Sequence, residues 1–373
     1  MKIIILRPIK VTSKVEHDFL FPIFRCKNYL TDLGYTIKFK NKLDNSLLNC
    51  DILCVLSTCI RHHGKDNVYM DELRKFSELA KLTYFLDISD SGGLFYEIGF
   101  EIGQVYYKKQ IYHDRSYYTN SNTCEPRMHF DYVIKNNFIK KDSHNIPDNY
   151  SHISKNIIDD IRISWNVGLG DYRTFSFPSK TLLRGVIRMQ TKICRKPMIF
   201  PMFQNRYDFN EYSDRNVDLL SCFGSYDLTS KPISFHRKAS ADMAASLNGD
   251  YKVASGFFPV DEYYTLLRKA KMALSPFGWG EMTWKDFEVF INGIALLKPN
   301  MSHLETWPDY YIENETYLPY EWDASDISDL IERVVSKDGF LEQIARNGQE
   351  RFRSFDVHND PSPFIERFQT VFA

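Results

Sequence analysis

The stretch LSPFGWGEMTWKDFEVFINGIALLKP, Leu274–Pro299, decides how the chain is read. Its apolar run ends at Ser275 and Pro276, and a proline cannot continue a central strand, so the chain leaves a sheet there. Gly278 and Gly280 permit backbone conformations and close approaches that a side chain forbids. Thr283 is placed as a helix N-cap, with Asp286 three residues on in the capping-box position. The helix that begins there aims free N–H groups and its positive end beyond the strand, which makes an anion site. Crevices outside the carboxyl ends of parallel strands are where α/β sheets bind ligands. Lys285 in the first turn adds a charge-assisted contact for a diphosphate. Glu288, about one turn past the cap, is placed to accept hydrogen bonds from both hydroxyls of a ribose, and Gly293 ends the helix. An ordinary strand–turn–helix accounts for the cap and the glycines. It does not account for Trp279 and Glu281, a large aromatic and an acid set beside two glycines in a turn.

Outward from this stretch the pattern is β-α-β. KIIIL, DILCVLS and TYFLDIS read as buried parallel strands, TIKFK alternates like a strand, and FLFPIFRCKNYLTDLGY and VYMDELRKFSELAKL read as helices. The second half repeats the logic with VDLLSCFGS, YKVASG, MALSP and IALLKP as strands. KPISFHRKASADMAASL, VDEYYTLLRKAK, TWKDFEVFING and DASDISDLIERVV read as helices. GFLEQIARNGQERFRSF reads as one terminal helix or as a pair broken near Gly348. Between the halves, ISKNIIDDIRISWNVG and SKTLLRGVIRMQTK also read as helical, and the pattern resets near residues 200–212. The expected fold is therefore α/β, two Rossmann-like doubly wound domains, 1–205 and 206–373, facing across a cleft.

The bulk numbers agree. A length of 373 residues fits two domains at roughly 100–200 residues each. A net charge of -1 gives no global field for nucleic acid or an anionic membrane. Aromatics at 15% suit a large core and also clefts that stack on sugars. The apolar run at the N-terminus is too short for a signal peptide, so the expected address is cytoplasmic. Seven irregularly spaced cysteines are no disulfide framework, and Cys54 inside an apolar run reads as a small buried thiol.

The block AKMALSPFGWGEMTWKDFEVFINGIALLKP, with HLETWPDYY after it, resembles the C-terminal donor-binding domain of GT-B glycosyltransferases. It looks most like bacterial enzymes of cell-surface polysaccharide synthesis. FLDISDSGG, KKQIYHDRSYY and RMHFDYVI are similar to recurring blocks of the same group, which brings the resemblance to about two-thirds of the chain. The resemblance implies a nucleoside-diphosphate sugar as co-substrate, with no other cofactor, bound mainly by residues 222–310. It implies a glycan or lipid-linked glycan acceptor and, for Glu288 with Gly293, the ribose-holding acid. Many retaining members carry two acids separated by seven residues. Here Glu281 and Glu288 are separated by six, which favours inversion and leaves Glu281 open between catalytic, donor-contacting and structural roles.

The remaining candidates follow from position. Asp87, Asp90 and Ser91 end the strand TYFLDIS, where an inverting transferase needs one base; Asp90 is chosen for it over a plain Asp-Ser cap, and Asp87 and Ser91 are expected as acceptor contacts. His113 and Arg115, in a segment that otherwise reads as a solvated turn with an Asp114–Arg115 pair, are acceptor contacts. His303 and Glu305 follow IALLKP and border the donor. Gly224, Ser225 and Arg237 are phosphate contacts, joining Ser275, Gly278, Trp279, Gly280, Thr283, Lys285 and Glu288. Asn166, Gly168, Gly170 and Asp171 form a polar turn without an assigned place. No Asp-x-Asp motif stands at a strand end, so a helix N-terminus and basic residues are expected to stabilise the leaving diphosphate in place of a metal. No Walker A ending is present either. The rival readings are a phosphorylase or epimerase of the same architecture and a non-catalytic nucleotide-sugar-binding module. Scattered Lys and Arg residues leave peripheral contact with the inner membrane open.

Overall fold

A computed structural model of the chain describes residues 1–8, 14–120, 122–139, 158, 160–175, 204–207, 209–224 and 231–373. Two parallel sheets organise it. The first holds β1 (Lys2–Leu6), β2 (Thr36–Lys40), β3 (Ile52–Leu56), β4 (Thr83–Asp87), β5 (Val105–Lys108) and β7 (Ile161–Ile163), in the order β2-β1-β3-β4-β5-β7. The second holds β8 (Val217–Ser221), β9 (Val253–Ser255), β10 (Ala270–Leu274), β11 (Ala295–Pro299) and β13 (Leu318–Tyr320), in the order β13-β11-β10-β8-β9. Renumbered within each sheet, the first runs 2-1-3-4-5-6 and the second 2-1-3-4-5, so each has its topological switch point between its first and third strands. This is the two-unit α/β architecture expected from the sequence.

The near-continuous apolar runs are buried on both sides, as parallel strands must be. β3 and β4 are buried at every position. In β10, Ala270 and Ala273 face one apolar cluster while Met272 and Leu274 face the other. The first of these clusters is continuous from the first sheet to the near face of the second, through Phe277, Phe287 and Tyr310. The units are therefore packed together over much of the surface on which an open cleft was expected.

A third element joins them. β6 (Gln110–Tyr112) from the first unit pairs antiparallel with β12 (Leu304–Thr306) from the second, and His113 N–H donates to the His303 carbonyl at 3.0 Å beyond the pair. The polar turn without an assigned place belongs to the same junction. Asn166 Nδ2 donates to Thr306 Oγ1 at 3.0 Å and to the Pro308 carbonyl at 2.7 Å. A Cβ on Gly168 would come within 2.3 Å of Tyr310.

Several elements differ from expectation. The helix expected over FLFPIFRCKNYLTDLGY is two, Lys14–Arg25 and Lys27–Asp32. The described part of ISKNIIDDIRISWNVG ends in the edge strand β7 and a short 3-10 turn, not a helix. SKTLLRGVIRMQTK lies outside the described residues. The helix Phe340–Ser354 passes unbroken through Gly348, where a Cβ would press on the Thr316 carbonyl at 2.7 Å. The last helix, Ser362–Val371, departs from the division at 205/206 because it returns to the first unit. Arg367 donates to the Ser164 and Ile163 carbonyls, Tyr107 OH donates to the Val371 carbonyl, and Phe368 packs near Trp165 and Tyr35. Among the described residues no helix is long and apolar enough to cross a membrane.

Phe368 is fully buried at this crossing. Phe368→Ala is expected to cost about 3–5 kcal/mol, the usual range for emptying a large aromatic site. Urea unfolding monitored by circular dichroism measures it. A loss below about 1 kcal/mol would mean that the returning helix contributes little to the first unit.

Candidate functional site

The Trp284–Ile291 helix starts as read, with Thr283 and Asp286 forming a reciprocal capping box. Asp286 does more than cap. It accepts from Thr283 N–H at 2.9 Å, Ser275 Oγ at 2.5 Å and Tyr311 OH at 2.7 Å, and it pairs with the buried Lys298 ammonium at 2.9 Å. The helix mouth is thereby fixed to the ends of β10 and β11. Ser275, expected as a donor contact, is buried and its hydroxyl is engaged inward on Asp286.

Glu281 is the second fixed point, and its surroundings argue against the expected catalytic role. Its side chain is fully buried. Oε1 accepts from Ser91 Oγ at 3.0 Å and Tyr112 OH at 3.1 Å, and Oε2 accepts from Gln110 Nε2 at 2.7 Å and Gly92 N–H at 3.1 Å. All four donors belong to the first unit. His129 Nδ1 stands 3.5 Å from Oε1, an ion-pair distance. Burial alone would raise the carboxyl, but His129 and then His303 hold it well below the usual carboxylate range. With about four lone-pair sites in use, the carboxylate has none to offer a substrate. Ser91, expected at the acceptor, is fully buried in the same junction. Gly280 also serves the junction, because a Cβ there would lie 1.8 Å from the Asp90 carbonyl.

Asp87 is a further correction. It is buried beneath the strand ends, paired with the Lys108 ammonium at 2.9 Å and accepting from Tyr106 OH at 2.8 Å, so it faces no acceptor. The KKQ segment that reads as a solvated turn alternates instead. Lys108 turns into the first unit, Lys109 lines a cavity, and Gln110 reaches Glu281.

That cavity, about 230 Å³, is where the units leave space. Asp90 and Lys109 line it from the first unit, and Gly278–Gly280, Thr283 and Trp284 from the second. Asp90 keeps 39% of its side chain exposed while Lys109 keeps 3%, and Lys109 Nζ lies 3.5 Å from Asp90 Oδ1. Burial lowers the Lys109 ammonium from its ordinary value, partly offset by Asp90. The helix mouth therefore opens into an interdomain cavity that also holds the expected base.

Glu288 and Lys285 face the second sheet's switch point, between the ends of β8 and β10. Glu288 accepts from Tyr263 OH at 2.6 Å and Tyr264 OH at 3.0 Å, two partners that sequence reading missed. These leave about half of the acceptor capacity of a carboxylate. Lys285 donates to the Cys222 carbonyl at the end of β8, and burial brings its ammonium down to about 8. Gly224 stands beside Arg237, whose Nη1 donates to its carbonyl at 3.3 Å. Ser225 lies outside the described residues.

The remaining candidates lie at the β6–β12 junction. Arg115 pairs with Glu305 across the units at 2.6 Å, not with Asp114, so both are engaged away from the cavity. His113 is exposed beside them. His303 packs edge-on to Trp322 at 4.8 Å, and burial lowers it to about 4. Among the described residues no three His, Cys, Asp or Glu side chains converge as metal ligands do. Cys54 is a fully buried thiol, as expected.

No family model matches the chain, and no curated protein matches it. Solved structures with a similar layout include HepE of Anabaena in complex with UDP-glucose, at 10% identity, covering 99% of this chain and 100% of that one, with a TM-score of 0.45. A glycosyltransferase from Rickettsia africae aligns at 11% identity over 100% of this chain and 98% of that one, TM-score 0.46. Sucrose-phosphate synthase from Thermosynechococcus elongatus aligns at 12% identity over 98% and 82%, TM-score 0.39.

Two outcomes test this arrangement. Glu281→Ala removes the acceptor that four buried donors share and is expected to cost about 3–5 kcal/mol in urea unfolding. A variant of undiminished stability would reopen the catalytic role. His303 and His236 are lowered from the ordinary 6.5 to about 4 and about 3, both by burial first. The unfolded chain then binds more protons than the folded one below pH 6.5. Stability is expected to fall steadily as pH drops from 6.5 to 4, read as the thermal midpoint.

Proposed function

We propose that the chain is a glycosyltransferase that moves a sugar from a nucleoside-diphosphate donor to a surface-glycan acceptor, at the cytoplasmic face of the membrane. The observation that carries the reading is the cavity between the two units. There the glycine turn and helix mouth of the second unit meet an exposed carboxylate, Asp90, from the first. The sequence resemblance to GT-B glycosyltransferases supports the same assignment.

In this reading the nucleoside lies at the switch point of the second sheet. Glu288 takes the ribose hydroxyls with its remaining lone pairs, and Lys285 turns from the Cys222 carbonyl towards the diphosphate. The leaving group gathers negative charge as the glycosidic bond breaks, and the helix mouth at Thr283 with its positive dipole end stabilises that charge. Asp90 removes the acceptor proton. Inversion fits best, because an inverting displacement uses one base, and Asp90 faces the cavity while Glu281 is enclosed. No step is assigned to a metal.

A panel of nucleotide sugars, screened by thermal shift and then by product mass with glycan acceptors, tests the reading. Asp90→Asn is expected to lower kcat about 10²-fold or more with donor affinity retained. Glu288→Ala is expected to weaken donor binding by about tenfold or more, through one or two lost charge-assisted hydrogen bonds. Binding without turnover in the wild type would leave a nucleotide-sugar-binding module, and an epimerised donor would leave an epimerase. As pH rises through about 8, Lys285 loses its charge and nucleotide affinity is expected to weaken, a dependence absent from Lys285→Met.

A further inference from the structure

We propose that the cavity between the units is an acceptor subsite for one pyranose ring, laid against the indoles of Trp279 and Trp284, with Lys109 as the positioning residue that sets Asp90 against the attacking hydroxyl. The proposal rests on the transferase reading and adds the ligand class and two recognition elements to it.

Trp279 is 55% exposed and Trp284 37%, although most large apolar side chains of this protein are buried. Both line the same cavity as Asp90 and Lys109. Large aromatic surface left open inside a concave, polar-edged site marks a binding site rather than a packing fault. A pyranose matches it. Its ring C–H groups form an apolar face that packs on an indole, and its hydroxyls need a carboxylate or ammonium at the edge. The cavity, about 230 Å³, falls below the roughly 300–1,000 Å³ of drug-sized pockets and suits a single ring better than an extended chain.

The recognition groups are held in place before any ligand arrives. Trp284 Nε1 donates to the buried Asp18 carboxylate at 3.0 Å, and the Lys14 ammonium stands 4.1 Å from the centre of its ring. Trp279 lies near Phe130 at 6.5 Å and the Arg127 guanidinium at 5.8 Å. Lys109 is fixed through its backbone, its N–H donating to the Asp87 carbonyl at 3.3 Å and its carbonyl accepting from Thr306 Oγ1 at 2.9 Å. The Asp90 carbonyl accepts from Gln110 Nε2 at 2.7 Å. The backbones beneath ammonium and carboxylate are thus set, and the carboxylate alone of the two reaches solvent. Such prior support is what keeps a reacting group within the narrow tolerance that chemistry demands.

In the transfer step the acceptor O–H bond breaks and its proton goes to the Asp90 carboxylate. The freed oxygen pair forms the new bond to the anomeric carbon of the donor. The bond from that carbon to the diphosphate oxygen breaks, and its electron pair leaves with the nucleoside diphosphate. Lys109 touches none of the reacting atoms and acts through Asp90.

The test uses the full-length protein and intrinsic tryptophan fluorescence, titrated with a panel of methyl pyranosides (hexosides, deoxyhexosides, N-acetylhexosaminides and uronides). UDP and GDP serve as separate nucleotide probes by calorimetry. At least one pyranoside is expected to give a saturable change, weakened tenfold or more in Trp279→Leu and in Trp284→Leu. Each variant is first checked for a native circular dichroism spectrum, with Trp279→Phe and Trp284→Phe as conservative replacements where a leucine variant fails to fold. No response to any pyranoside, or a response unchanged in all the tryptophan variants, overturns the subsite. Lys109→Met is expected to lower kcat at least tenfold with the donor KM unchanged, and Lys109→Arg to restore most of it. Unchanged kcat, or no recovery with arginine, overturns the positioning role. Nucleotide binding without pyranoside binding sinks the subsite and leaves the transferase reading. Pyranoside binding without nucleotide binding or transfer sinks the transferase reading, and with it the acceptor role.

Discussion

The arrangement of the two units depends on one buried carboxylate. Glu281 extends from the second unit into the first, where two hydroxyls, an amide and a backbone N–H meet it. An ionised carboxylate without such partners would be too costly to bury. Supplied with them, it ties the turn at 278–281 of one unit to the strand ends of the other. Gly280 follows from the same constraint, since the Asp90 carbonyl occupies the space a Cβ would need. The Gly-Trp-Gly-Glu turn is thus first a joint, and the cavity beside it is what the joint leaves open.

A second buried acid, Asp286, does the equivalent work within the second unit. It ties the mouth of the Trp284–Ile291 helix to Ser275, Lys298 and Tyr311. The first unit has its own version in Asp87 with Lys108 and Tyr106. All three carboxylates stand at or just beyond strand ends, where α/β proteins place their ligands. Each is enclosed, and Asp90 and Glu288 are the acids left with capacity for something else. Burial sorts five chemically similar side chains into three that hold the architecture and two that are free to meet a ligand.

How much of this is legible in the sequence follows from the range of each interaction. The strands show because parallel sheets bury both faces and leave apolar runs such as KIIIL and DILCVLS. The Trp284–Ile291 helix shows because a capping box is complete within four residues. Glu281 reads as a candidate acid because nothing nearby in sequence marks it as enclosed, and its partners lie 169–190 positions away. Lys108 and Lys109 read as solvated for the same reason, since the acids that meet them belong to the preceding strand end. Tyr263 and Tyr264 are the residues a local argument had least chance of finding. Their apolar rings fit the helix face, and nothing in VDEYYTLLRKAK announces that both hydroxyls meet Glu288.

The antiparallel pair of Gln110–Tyr112 with Leu304–Thr306 bears on how ligands enter. A rocking of one lobe against the other would have to break those backbone bonds and strip Glu281 of its partners in the same motion. Traffic into the cavity is then a matter for its rim, where the indole of Trp279 stands in solvent on a turn bounded by glycines. The cavity is thus reached along that exposed rim, past the indole of Trp279.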